Sequence, residues 1–290
     1  RLHDLGKAVR IPAESRLEDS ELENEVLPDY LPDNEATRRE FVRLNRSIMA
    51  VDNGVARILD ALEDAGLAEN TLVWFTADHG LPFQRAKGTV YDPGIHVASL
   101  ARWPGHIPPG TSTDRLTSNV DVMPTLLDAA GASIPDEVQG QSRLRLLRDA
   151  SGHGADNGSM NADVIYAEKT YHEHYDPIRC LRTDRYKYIR NFAERPKLVL
   201  PSDVYNSPSR QANPDDESLW SHRAEEELYD LVNDPGEQQN LIEDPMLAEK
   251  LASFRTQLKA WMEQTGDALL AGPVLRPSAS VQPNCTIPVA

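Results

Sequence analysis

Phe41, Leu44, Ile48, Val51, Val55, Ile58 and Leu62 recur at steps of three and four residues. One face of a helix repeats at that spacing, so the pattern predicts a long helix from about Glu35 to Ala65. Asp33 or Asn34 is placed to cap its start, and Gly66 stands where a left-handed residue closes a helix. Leu72-Val73-Trp74-Phe75-Thr76 follows and suits a buried strand, because β-branched and aromatic side chains favour extended backbone. Val97 to Ala101 reads as another core strand, followed by turns at Trp103-Pro104-Gly105 and Pro108-Pro109-Gly110. Met123, Leu126 and Leu127 predict a helix capped by Asp121 or Ser118 and stopped at Gly131. Helix and strand alternate through residues 36–150, which predicts the layered sheet of an α/β fold.

A run rich in Gly, Ser, Asp and Asn from Asp149 to Ser159 predicts a boundary, and the pattern changes after it. Val164–Ala167, Arg179–Thr183, Tyr186–Asn191 and Glu227–Leu231 read as strands, with Thr183-Asp184 turning an antiparallel hairpin. Leu247, Leu251, Phe254, Leu258 and Trp261 predict an amphipathic helix that starts near Pro245. Pro201 to Ser221 is polar and reads as a long loop. Residues 151–271 are thus expected to form a smaller α+β subdomain with an antiparallel sheet. A loop-rich, acidic segment punctuated by Pro12, Pro28 and Pro32 precedes the core over residues 1–35, and a proline-rich tail occupies 272–290.

Asp78-His79-Gly80 stands at the carboxyl end of the first predicted strand, where open α/β sheets place their sites. Adjacent side chains on a regular strand diverge, and Gly80 lets the chain turn and bring both toward one point. Carboxylate oxygen and imidazole nitrogen then suit a divalent metal; the plain alternative is a solvated acid at a strand-to-loop junction. Lys87 follows on a loop that can set its ammonium above such a metal. That combination stabilises a tetrahedral oxyanion, and the plain alternative is again a solvated side chain. Arg85 reads as a solvated loop arginine, with assistance to an anionic substrate as the second option.

Charge and cysteine usage narrow the partners. A formal net charge of −16 argues against a nucleic-acid or anionic-membrane surface. No apolar run is long enough to cross a bilayer, and 40% hydrophobic residues allow a sizeable core. Cys180 and Cys285 have neither metal-ligand spacing nor a disulfide framework, and Cys180 reads as a strand core residue. Compartment and oligomeric state are not legible.

Phe75-Thr76-Ala77-Asp78-His79-Gly80, then Lys87-Gly88-Thr89-Val90-Tyr91-Asp92-Pro93-Gly94, then Arg102-Trp103-Pro104-Gly105 together resemble the second half of a sulfatase. Asn119-Val120-Asp121-Val122-Met123-Pro124-Thr125-Leu126-Leu127 resembles the family's following helix. Arg182-Thr183-Asp184-Arg185-Tyr186-Lys187-Tyr188-Ile189 and Glu227-Leu228-Tyr229-Asp230-Leu231, with Asp234-Pro235, Glu237 and Asn240-Leu241, resemble its C-terminal subdomain. The likeness runs over residues 36–265 and is nearest to the heparan N-sulfatase (sulfamidase) branch, through the segment His172 to Phe192 and the insert after it.

The resemblance implies an alkaline-phosphatase-superfamily fold and a divalent cation, calcium first, bound partly by Asp78 and His79. Many sulfatases carry Asp-Asn here, so imidazole leaves manganese or zinc open. It implies that Lys87 holds the sulfate and that His172 lines the substrate pocket, with His174 a weaker candidate. Asp92, His96 and Ala98 depart from the family's commoner Glu, Arg and Pro. The Cys/Ser-x-Pro-x-Arg motif of the formylglycine nucleophile is absent around Cys180, Cys285 and Ser15, and so is the Asp-Asp metal pair that the family carries near its chain start. The expectation is therefore the C-terminal portion of a sulfuric ester or sulfamate hydrolase, inactive by itself, acting on a small-molecule or glycan sulfate. The alternatives are a phosphodiester or phosphonate monoester hydrolase of the same superfamily, or an inactive fragment serving as a binding module.

Overall fold

The structure, a computed structural model, describes residues 22–149 and 164–274. Helix α1 runs Glu35–Asp64, and Asn34 caps it, its side-chain oxygen accepting from the Thr37 amide at 3.0 Å. Gly66 closes it with φ +67°. Strand β1, Val73–Thr76, leads through the loop carrying Lys87 to a single helical turn, α2, Asp92–Ile95. Strand β2 is Ser99–Arg102, α3 is Val122–Ala129 and α4 is Leu144–Arg148. Ser118 and Asp121 form a reciprocal capping box just before α3. Strands β3, Ile165–Tyr171, β4, Tyr175–Arg182, and β5, Tyr186–Asn191, follow. Short helices α5, Ser202–Tyr205, and α6, Pro208–Gln211, precede β6, Glu226–Asp230, and the long α7, Ala248–Gln264.

Among the described residues the strands make two antiparallel sheets, β1-β2 and β3-β4-β5-β6. Alternation along the larger sheet sends apolar side chains to both faces. Leu181, Tyr188 and Leu228 point to one face and pack on Leu251, Phe254, Leu258 and Met262 of α7. Cys180, Ile189 and Tyr229 point to the other and pack on Val90 and Tyr91 of the Lys87 loop and on Leu198 and Val204. The sheet is therefore covered twice, once by a helix and once by the loop that carries the candidate chemistry. Burying each large α7 side chain contributes on the order of 2 kcal/mol.

Several expectations need correction. β1 is only half-buried and, among the described residues, pairs with β2 alone, and β2 starts two residues later than expected and is exposed over Ser99 and Leu100. On α1, Val42 is buried, but Ile48, Met49, Val51 and Ile58 are exposed. The helical stripe exists, and the described part of this chain covers only its first turns. β4 begins at Tyr175, because the register shift between Lys169 and Tyr171 admits Pro177 into the strand region. Residues 201–221 form α5, α6 and a 3₁₀ turn instead of a loop, with Val204 and Leu219 in the core. Leu22 and Leu31 are buried, so the segment before α1 is seated where it is described. The expected boundary at 150–159, residues 1–21, Cys285 and the tail beyond Val274 lie outside the described residues.

A buried ion cluster ties the loop to the sheet. Lys187 of β5 is fully buried, with Nζ 2.5 Å from Asp92 Oδ1 and 2.9 Å from Glu237 Oε1. Arg182 of β4 reaches the other Asp92 oxygen at 3.0 Å, and the Asp92 amide donates to Glu237 Oε2 at 2.5 Å. Burial alone would raise the Asp92 carboxyl, but Lys187 and Arg182 overcome it and hold the group down at about 2. Burial dominates at Glu237 and pushes its carboxyl above the usual range. Asp92 therefore contributes stability above its ordinary 3.8, lost as pH falls toward about 2. Lys187→Met leaves Asp92 with Arg182 alone and Glu237 with no cation, and should cost about 3 kcal/mol or more in urea unfolding at pH 7. An unchanged midpoint would contradict this account of the cluster.

Candidate metal and anion site

β1 ends by delivering Asp78 to the wall of a cleft, with His79 beside it. Its pull of backbone contacts begins at Gly80, whose amide donates to the Gly94 carbonyl at 2.9 Å. A Cβ on Gly80 would lie 1.7 Å from the Pro93 carbonyl oxygen, and one on Gly94 would lie 2.5 Å from the Ala86 carbonyl oxygen. The need for glycine at position 80 is thus close approach of two chain segments, where the sequence had suggested a freely turning backbone. The strand end is fixed from the other side by Asn119, whose side-chain amide donates to the Ala77 carbonyl at 3.1 Å.

Within this frame the histidine tautomer follows from its neighbour. His79 Nδ1 lies 2.8 Å from the Gly80 carbonyl oxygen, and a carbonyl only accepts, so Nδ1 carries the hydrogen. In the neutral ring the lone pair then belongs to Nε2, which lies 3.8 Å from Asp78 Oδ1. That separation suits two donors sharing one cation, and the Nδ1–H bond fixes the ring as outer hydrogen bonds fix metal-bound imidazoles. Asp78 Oδ1 also accepts from the His79 amide at 3.0 Å, and its side chain is 88% exposed, so its oxygens remain open to a ligand. The donor set fits part of a divalent-cation site. Among the described residues no group of three or more His, Cys, Asp or Glu gathers around a point.

The cleft beside Asp78 has a volume of about 1150 Å³. Asp92, His96, Ala98, Ser118, Arg143 and Arg182 contribute to its walls. Arg143 and Asp121 form a buried pair at 2.8 Å that props the wall behind α3.

Lys87 is paired rather than solvated. Its ammonium is 2.6 Å from Asp203 Oδ2 on α5, and the hydrogen bond from Lys87 holds the Asp203 carboxyl below its ordinary range. The neighbouring Gly88 carbonyl accepts from Lys169 Nζ at 2.6 Å. Lys169 also pairs with buried Asp176, while burial pulls its ammonium below the usual range. His172 and His174 are exposed on the β3–β4 turn and share a small groove with Gly88 and Pro201. Arg85 is not solvated. It is 6% exposed at φ +61°, donates to the Glu237 carbonyl at 2.7 Å, and lies 4.3 Å over the Tyr91 ring. Its role is to hold the loop, and it is withdrawn as a substrate contact. Asp203, Lys169 and Glu173 were invisible to sequence reasoning, since Asp203 reaches Lys87 across 116 residues.

The sulfatase family profile matches residues 18–132, and the profile for the C-terminal part of N-sulphoglucosamine sulphohydrolase matches residues 78–218. The chain belongs to the sulfatase family. An ulvan-active sulfatase of Formosa agariphila is 32% identical over 253 residues, covering 83% of this chain and 41% of that protein. A solved 2-O GAG sulfatase superposes with TM-score 0.63 at 25% identity, covering 83% of this chain and 47% of the other. The phosphonate monoester hydrolase of Silicibacter pomeroyi shares the fold, with TM-score 0.59 at 24% identity, covering 82% of this chain and 43% of the other. The chain therefore spans less than half the length of these relatives. Its structural neighbours have the alkaline-phosphatase-like fold, and the sulphohydrolase profile agrees with the sulfamidase-like segment read in the sequence.

Gly80→Ala should displace the Pro93–Gly94 turn and lower stability by roughly 1–3 kcal/mol, the usual range for overpacking. Gly54→Ala, in open space on α1, is the control and should be neutral or slightly stabilising. Equal unfolding midpoints for the two variants would contradict the close-approach requirement.

Proposed function

We propose that this chain supplies the cation-holding and sulfate-holding parts of a metal-dependent sulfuric ester or sulfamate hydrolase. The observation that carries the proposal is the convergence of Asp78 and His79, its Nδ1 turned to the Gly80 carbonyl, at a strand end in a chain of the sulfatase family. Asp78 and His79 are the cation's ligands from this chain. Calcium is the first candidate by family likeness, and the imidazole keeps manganese and zinc open. When bound, the cation withdraws charge from a sulfate oxygen and favours attack on sulfur. Lys87 contributes a second positive charge to the sulfate, and His172, on the turn beside Gly88, faces the rest of the substrate. The family's formylglycine nucleophile has no motif in these 290 residues; in this proposal it acts from outside them, and these residues alone are inactive.

The organisation that goes with this function is an α/β core portion over 36–150 and a C-terminal subdomain over 151–271. The substrate is a small-molecule or glycan sulfate. A formal charge of −16 disfavours nucleic acid, and no helix among the described residues is long and apolar enough to cross a membrane.

Phosphonate ester hydrolysis is the second reading, supported by the shared fold and by an Asp-His pair in place of the commoner Asp-Asn of sulfatases. Comparing turnover of an aryl sulfate and an aryl phosphonate by the native enzyme separates the two, and the sulfate should be preferred. Turnover of neither, with the cation bound, would favour a binding module.

Asp78→Ala should strip the native protein of its divalent cation, measured by elemental analysis after gel filtration, and unchanged metal content would refute the ligand assignment. Lys87→Ala should lower kcat/KM by about a hundredfold or more, with Lys87→Arg retaining part of the activity. Normal kcat/KM in Lys87→Ala would remove Lys87 from the site.

A further inference from the structure

The Lys87 side chain is held by a built arrangement that spans three segments of the chain. Asp203 Oδ2 receives its ammonium at 2.6 Å. Asp203 stands on α5, and α5 is fixed on either side of Asp203, at Ser202 and Val204. Its Ser202 amide donates to both Glu173 oxygens at 3.0 Å and the Ser202 hydroxyl donates to Glu173 at 2.8 Å. Val204, beside Asp203, is 1% exposed and sits in the core with Leu198 and Leu200. The backbone under Lys87 is fixed as well. Gly88 adopts φ +78°, and a Cβ there would meet Pro201 Cγ at 3.0 Å, while Lys169 donates to the Gly88 carbonyl at 2.6 Å. Lys87, the β3–β4 turn and α5 thus close a circuit of contacts.

Stability does not account for the Lys87–Asp203 bond. Asp203 is 52% exposed and Lys87 20%, and a pair with one carboxylate open to water adds little to folding. A flexible ammonium held in one direction by a carboxylate on an anchored turn is, however, what orientation of a charge toward a reacting group requires.

We propose that Asp203 is a positioning residue for Lys87, and that Glu173 sets Asp203 in place through α5. The proposal rests on the assignment of Lys87 to the sulfate. An ammonium has three donors, so one is committed to Asp203 and the rest are left for the sulfate oxygens. Asp203 touches neither substrate nor cation and acts only through Lys87.

The test is a double-mutant cycle in the native enzyme, with an aryl sulfate as substrate and inorganic sulfate as competing probe. Asp203→Asn should lower kcat about tenfold, with the sulfate inhibition constant changed by less than about threefold, because the charge of Lys87 survives and only its direction is lost. Asp203→Glu should recover part of kcat. In the Lys87→Ala background, Asp203→Asn should have no further effect, since the two residues act as one unit. The unfolding midpoint of Asp203→Asn should match the wild type within error. Wild-type kcat in Asp203→Asn would overturn the proposal. So would the same tenfold loss in both backgrounds, which would mark Asp203 as acting through something other than Lys87. Full activity in Lys87→Ala alone would instead overturn the underlying assignment of Lys87.

Discussion

A lysine ammonium with no exposure to water is the constraint on which the rest of this structure depends. Lys187 projects from β5 into the interior between the sheet and the site loop, where a lone charge would be strongly disfavoured. It requires carboxylates, and the chain brings them from two distant places, Asp92 at the start of α2 and Glu237 after β6. Meeting that requirement presses residues 83–92 onto the sheet. Tyr91 then packs edge-on against Tyr229 with ring centroids 6.0 Å apart and donates to buried Glu227 at 2.8 Å. Arg85 is captured by the carbonyls of Gly236 and Glu237. Once the loop is fixed at Asp92, the Gly94 carbonyl is in place to receive the Gly80 amide, and the exit of β1 is fixed in turn. The geometry of Asp78 and His79 is therefore set from the far side of the sheet.

Much of this was legible along the chain where the information is local. The limits of α1, the hairpin of β4 and β5 and the start of the C-terminal helix follow from caps, alternation and turn residues that act within a few positions. Gly66 and Asn34 do their expected work. Asp78 and His79 were legible as a pair because they are adjacent and follow a strand.

What escaped depends on contacts between distant segments. Lys187 sits in a strand that the sequence marks, but its burial depends on Asp92 and Glu237, which arrive from elsewhere. Arg85 reads as solvated for the same reason. The strand read from Arg179 starts earlier, at Tyr175, and the bulge at Asp176-Pro177 that permits this cannot be seen from one strand alone. Residues 201–221 are polar by count, but Val204 and Leu219 are enough to seat them in the core. The apolar stripe of α1 was legible as a stripe, whereas its exposure at Ile48, Met49 and Val51 depends on what lies opposite.

The central claim is that β1 ends in a carboxylate and an imidazole that share one divalent cation through Asp78 and His79 Nε2. The most direct measurement is electron spin-echo modulation of the native protein loaded with Mn²⁺. Coupling of the manganese to an imidazole nitrogen, present in the wild type and absent in His79→Asn with manganese still bound, is the predicted result. Manganese bound with no nitrogen coupling, or with a coupling that His79→Asn leaves unchanged, would contradict it.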